Sequence, residues 1–115
     1  MREILFRAKS VATGNWVYGD LYTHGVYAIW CNGQKIAVEE DTVGEYTGVV
    51  SADGVRIFEG DIVRMGDNGY RYTVVWDDSA FKGKQEGSSS YIGLNFHRQW
   101  LHIVGNIHTG EGGAE

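Results

Sequence analysis

The sequence predicts a mainly β fold, with α+β as the alternative: an N-terminal β meander, then a small, strongly bent SH3-like barrel, with few short helical turns. Three observations carry this. Apolar residues recur with a period of two rather than 3.6. Aromatic residues make up 13% of the chain, and β-branched residues are abundant. Gly, at 17 of 115 residues with no Pro, interrupts nearly every stretch that could become a helix.

The elements follow in order. Residues 2–9 alternate, with Ile4, Phe6 and Ala8 on one face and Leu5, Arg7 and Lys9 on the other. A turn at Thr13-Gly14-Asn15 leads into residues 16–23, where Trp16, Tyr18, Asp20 and Tyr22 oppose Val17, Gly19, Leu21 and Thr23. Asn32-Gly33 between two apolar runs is the strongest local signal, because a two-residue type I′ hairpin needs positive φ at both central residues. With Cys31 opposite Gln34, Ile29 faces Ile36 and Tyr27 faces Val38, which gathers one apolar face and fixes the register. Glu39-Glu40-Asp41 begins an acidic connector, in which Asp41 could cap a single helical turn over Thr42 to Glu45.

Strands are expected at Tyr46 to Val50, Val55 to Phe58, Ile62 to Met65 and Tyr70 to Trp76, with tight turns at Ser51-Ala52-Asp53-Gly54 and Gly66-Asp67-Asn68-Gly69. Residues 79–90, rich in Gly, Ser and Lys, are expected to form a mobile loop. Strands follow at Tyr91 to Phe96 and Leu101 to His108. The expected organisation is one domain over residues 1–109, with lobes of about 1–40 and 45–109, and a flexible tail at 110–115.

Charge and cysteine content narrow the function. The net charge is −5, and the ten Lys and Arg are scattered singly, which argues against tight, nonspecific nucleic-acid binding and leaves only a local basic stripe formed by the fold. One cysteine, Cys31, excludes an intrachain disulfide and a four-cysteine zinc site, and suits the cytoplasm. The longest apolar run, Val26 to Cys31, is far short of the ~20 residues that span a membrane, and no secretory leader is visible at the start.

Several motifs in order resemble the YopX family of phage and prophage proteins. Arg2-Glu3-Ile4-Leu5-Phe6-Arg7-Ala8 resembles its opening strand, and Tyr18-Gly19-Asp20-Leu21 its second. Asp41-Thr42-Val43-Gly44-Glu45-Tyr46-Thr47-Gly48 resembles its most recognisable motif. Asp53-Gly54-Val55-Arg56-Ile57-Phe58-Glu59-Gly60-Asp61-Ile62-Val63 follows at the expected distance, and Val104-Gly105-Asn106-Ile107-His108 resembles the closing motif. The resemblance covers roughly residues 2–108. It departs in lacking the Pro that the family usually carries before Thr-Val-Gly, and residues 79–90 correspond to a variable region. It implies a mainly β, self-associating protein encoded by a mobile element, and it brings no catalytic residue and no cofactor.

Catalytic chemistry has little footing in the residues. No Gly-x-Ser-x-Gly, phosphate-cradling loop or metal spacing occurs, so no catalytic, cofactor or metal residue is assigned. Of the four histidines, His24, His97, His102 and His108, the last two on one straight strand would stand about 20 Å apart, too far to share a metal, and adding Asp77, Asp78 or Cys31 would build a site only by tertiary accident. Gly44, Tyr46, Gly48, Gly60, Asp61, Gly105 and Asn106 are assigned to fold-defining turns; at Gly60-Asp61 the Asp carboxylate is expected to bond nearby backbone amides as a strand begins after a tight bend.

The sequence therefore favours a cytoplasmic, non-enzymatic, self-associating interaction module whose partner is an unidentified phage or host protein. Trp16, Trp30, Tyr70 and Trp100 are the expected interface residues. The alternative is an SH3-like nucleic-acid-binding module using Arg64, Arg71, Lys82, Lys84 and Arg98.

Overall fold

A computed structural model describes residues 3–66 and 69–111. It is mainly β: twelve strands in antiparallel pairs, joined by turns and three very short helical segments. The chain divides into two compact units, Met1–Tyr46 and Thr47–Glu115.

The first unit holds β1 (Phe6–Lys9), β2 (Trp16–Tyr22), β3 (Ala28–Cys31) and β4 (Gln34–Ala37), and the start of β5 (Gly44–Val50). β1 to β4 form a meander, and β1 also pairs with β5 through Phe6↔Glu45 and Arg7↔Gly44. The β3–β4 hairpin has the register that its sequence dictates, with Cys31↔Gln34 and Ile29↔Ile36. Asn32 and Gly33 sit at φ 52° and 79°, both in the left-handed region that a type I′ turn demands. The meander curls until its far end meets its beginning: Val38 bridges Ser10, Val11 N–H donates to the Ala37 carbonyl at 3.0 Å, and Glu39 N–H donates to the Lys9 carbonyl at 2.9 Å. Its core is Ala8, Ile29 and Val38, with Phe6, Val17, Leu21, Tyr27, Cys31 and Val43 packed around them.

The acidic connector does contain a helical turn, a 3₁₀ segment at Glu40–Thr42, but Asp41 lies within it and no side chain caps it. Thr42 anchors it instead. Its hydroxyl donates to the Glu39 carbonyl at 2.7 Å and accepts the Lys9 N–H at 2.9 Å.

The second unit begins within β5. Its first sheet element is β6 (Arg56–Phe58), beside β5, with the Thr47 hydroxyl donating to the Ile57 carbonyl at 2.8 Å. The larger sheet contains β7 (Asp61–Met65), β8 (Arg71–Asp77), β9 (Ala80–Gln85), β10 (Tyr91–Gly93), β11 (Leu101–Asn106) and β12 (Gly110–Glu111). Their order is β10-β9-β8-β7-β11-β12, so the late strand β11 returns beside β7. The inner face buries Ile57, Val63, Tyr72, Val74, Leu94 and Leu101.

Four expectations are corrected here. Residues 79–90 are not one loop: Ala80–Gln85 is β9, paired along its length with β8. A two-residue turn makes this possible, because Asp78 (φ 49°) and Ser79 (φ 66°) both adopt the left-handed conformation usually taken by Asn-Gly. The strand expected through Phe96 ends at Gly93, followed by α1 (Leu94–His97) and a 3₁₀ turn at Arg98–Trp100; Leu94, 2% exposed, turns inward to fill the core. β11 stops at Asn106 rather than His108, because the Asn106 side chain takes over the backbone N–H groups of His108 and Thr109, at 2.8 and 3.0 Å. Gly110 and Glu111, placed in the expected tail, pair with Asn106 and Gly105. The rest of that tail, and the Asp67-Asn68 centre of the expected tight turn, lie outside the described residues.

Candidate functional site

Among the described residues, no three His, Cys, Asp or Glu side chains converge as a metal site. No helix is long and apolar enough to cross a membrane. Chemistry-bearing side chains collect instead on the face of the second unit's sheet opposite its core.

Strand alternation and register build that face. β7 presents Arg64 away from the buried Val63, and β8 presents Arg71, Thr73 and Val75 away from the buried Tyr72 and Val74. Arg64 is the direct cross-strand partner of Arg71, Thr73 is opposite Lys84, and Val75 is opposite Lys82. β10 adds Tyr91, opposite Lys84, and β11 adds His102, opposite Arg64. Arg64, Arg71, Lys82 and Lys84 therefore share one face with Tyr91 and His102. Lys84 and Tyr91 are exposed, whereas Arg64, Arg71 and Lys82 are half-buried.

Several of these groups have acceptors close by. Lys82 Nζ lies 3.4 Å from Asp77 Oδ2, and Lys84 Nζ donates to the Ser88 carbonyl at 3.2 Å. His102 Nδ1 lies 2.8 Å from Asp53 Oδ2, and Arg71 donates to the Gly69 carbonyl at 3.4 Å. Arg64 Nε is sealed from solvent without a hydrogen-bond acceptor. Surface ion pairs at such distances contribute about 0–1 kcal/mol, so an incoming anion can displace them.

Arg98, the fifth nominated base, stands apart on the 3₁₀ turn and lines an open pocket of about 300 Å³ with Val50, Ser51, Ala52 and Gln99. The nominated aromatics separate by unit. Trp16 and Trp30 lie on the same face of the first unit's sheet, the one opposite Ile29. Trp16 is half-buried, with the Arg7 guanidinium 4.4 Å from its ring centroid, whereas Trp30 is 44% exposed. In the second unit, Tyr70 and Trp100 both flank the end of β7: the Met65 N–H donates to the Tyr70 carbonyl and the Gly66 N–H to the Trp100 carbonyl, at 3.1 and 2.7 Å. Their side chains are 56% and 47% exposed.

Of the remaining nominated residues, Gly44, Tyr46 and Gly48 lie along β5 rather than in a turn, whereas Gly60 and Asp61 lie at the start of β7 and Gly105 and Asn106 at the end of β11. Gly44 and Tyr46 are buried on β5, and the Tyr46 N–H donates to the Leu5 carbonyl at 2.8 Å. Gly48 is exposed on the same strand with φ 86°. Gly60, at φ 94°, donates its N–H to Val74 and accepts from Ile107. Asp61 and Asn106 are fully buried, with Gly105 buried beside Asn106.

Sequence reasoning missed Tyr91 and the His102–Asp53 pair as parts of this face. Tyr91 was already placed at the start of a strand, but with residues 79–90 read as a loop nothing set it beside Lys82 and Lys84, whose alternation was the usable signal for β9.

A search of the curated proteins finds no match. The family model of YopX protein matches residues 5–110, nearly the whole chain. The strands β1, β5, β7 and β11 lie inside that match, and the chain belongs to the YopX family.

Proposed function

We propose that the protein is a non-enzymatic binding module, encoded by a phage or prophage and working in the host cytoplasm, whose second-unit sheet face takes a nucleic acid. One observation carries this reading: Arg64, Arg71, Lys82 and Lys84, scattered singly in the sequence, share one face of three adjacent strands beside the exposed Tyr91. Cations spread over an extended surface fit a polyanion, whereas an active site would gather unlike groups in a cleft. The overall charge of −5 keeps such binding moderate and salt-sensitive.

The test is fluorescence anisotropy with labelled oligonucleotides at low ionic strength. The expected result is saturable binding that weakens steeply as salt rises, and its loss in the variant R64Q/R71Q/K82Q/K84Q. No anisotropy change with either single-stranded or duplex DNA overturns the reading.

A second reading, self-association, is favoured by Trp30 and Tyr18, which are 44% and 38% exposed on one face of the first unit. Sedimentation velocity would then report a species heavier than one chain, converted to monomer by Trp30→Ala. A single monomer boundary for the unaltered protein would exclude it.

A further inference from the structure

Resting on the nucleic-acid reading, we infer that the ligand is a single strand, with its phosphates along Arg64, Arg71 and Lys84 and a base stacked on Tyr91. Three features select this ligand.

The first is the Arg64–Arg71 pair. Like charges directly opposite on neighbouring strands repel each other, and Arg64 and Arg71 stand in that relation. A phosphate lying across the two guanidinium groups removes the repulsion and supplies oxygens in the geometry that arginine forks prefer.

The second is the dimension of the face. Strands lie about 4.8 Å apart and alternate residues roughly 6.7 Å apart, so Arg64 and Tyr91 are separated by roughly 16 Å. That track suits a few nucleotides of one strand. The cations lie on the middle strands β7, β8 and β9, and the described helical segments are three or four residues long. Reading a duplex calls for a helix or a projecting two-stranded ribbon that enters a groove about 12 Å wide, and this face projects neither.

The third is Tyr91. It is 42% exposed on the edge strand β10, directly opposite Lys84, with Lys82 Nζ 5.7 Å from its ring centroid. An exposed ring flanked by two cations can stack any base while its neighbours hold the flanking phosphates.

The experiment uses the full chain, a labelled thymidine 12-mer, a duplex of equal length, and a poly-glutamate peptide as an acidic-protein mimic. The single strand is expected to bind at least about fivefold tighter than the duplex. The slope of log K against log salt should approach about −2, and Lys84→Gln should reduce it by about 0.7. Tyr91→Ala should weaken single-strand binding about tenfold with the slope unchanged, and Tyr91→Phe should retain it. Tyr91→Leu, which keeps a bulky apolar residue on the strand, should show the same loss as Tyr91→Ala. Equal or tighter duplex binding, or undiminished single-strand affinity in both Tyr91→Ala and Tyr91→Leu, overturns the inference while the nucleic-acid reading stands. Binding of neither nucleic acid overturns that reading as well. Poly-glutamate binding as tight as the single strand assigns the face to an acidic protein and overturns both.

Discussion

Asp61 and Asn106 are direct cross-strand partners on β7 and β11, and both are completely buried. Each side chain accepts hydrogen bonds from backbone. Asp61 Oδ2 accepts the Phe58 N–H at 2.8 Å, closing the bend that carries Gly60, and Asn106 Oδ1 accepts the N–H groups of His108 and Thr109. The Gly60 carbonyl in turn accepts the Ile107 N–H at 2.9 Å. Two motifs 45 residues apart thus form one clasp between the strand that opens the second unit's large sheet and the strand that returns beside it.

Replacing Asp61 tests that clasp. Asp61→Ala leaves the buried Phe58 N–H without its acceptor and should cost about 1–3 kcal/mol of stability. Asp61→Asn keeps an oxygen in place and should cost less. Urea unfolding of the two variants checks the order; equal losses would show that the acceptor oxygen is not what matters.

Gly19 should tolerate no side chain. A Cβ there would run into the Trp30 carbonyl oxygen and lie 3.2 Å from Ile29 Cγ2. Gly19→Ala is expected to lower stability by about 2 kcal/mol through forced separation of β2 and β3. Thermal unfolding followed by circular dichroism measures it, and an unchanged midpoint would contradict the close approach.

Thr42→Val removes the hydroxyl that both accepts the Lys9 N–H and donates to Glu39, while keeping the side chain's shape. A loss of about 1–3 kcal/mol is expected. Faster hydrogen exchange at the Lys9 amide would localise the effect.

Ser79→Gly should stabilise the protein. Ser79 holds φ 66° in the two-residue turn, a conformation that glycine adopts without steric cost. Relief of that strain, less the added freedom of the unfolded chain, should raise stability by about 0.5–1 kcal/mol in denaturant unfolding. A decrease would mean that the Ser79 side chain contributes to the turn.

The sequence disclosed what neighbours in the chain decide between themselves. Alternation at 16–23 and 70–76 marked strands because a half-buried strand must send every second side chain inward. Asn32-Gly33 set the hairpin register because few other residue pairs accept two successive left-handed conformations. The same logic failed at Asp78-Ser79, which carry those conformations without glycine, so β9 was concealed inside a stretch whose composition suggested a loop.

What only the tertiary structure decided is which strands became neighbours. β7 pairs with both β8 and the distant β11, a choice made by burial of Val63, Tyr72, Val74 and Leu101 together rather than by local preference. That pairing turned single basic residues into a cationic face and set Asp61 against Asn106. Local chemistry fixes where a side chain points along its own strand; only collapse around a shared core fixes what stands beside it.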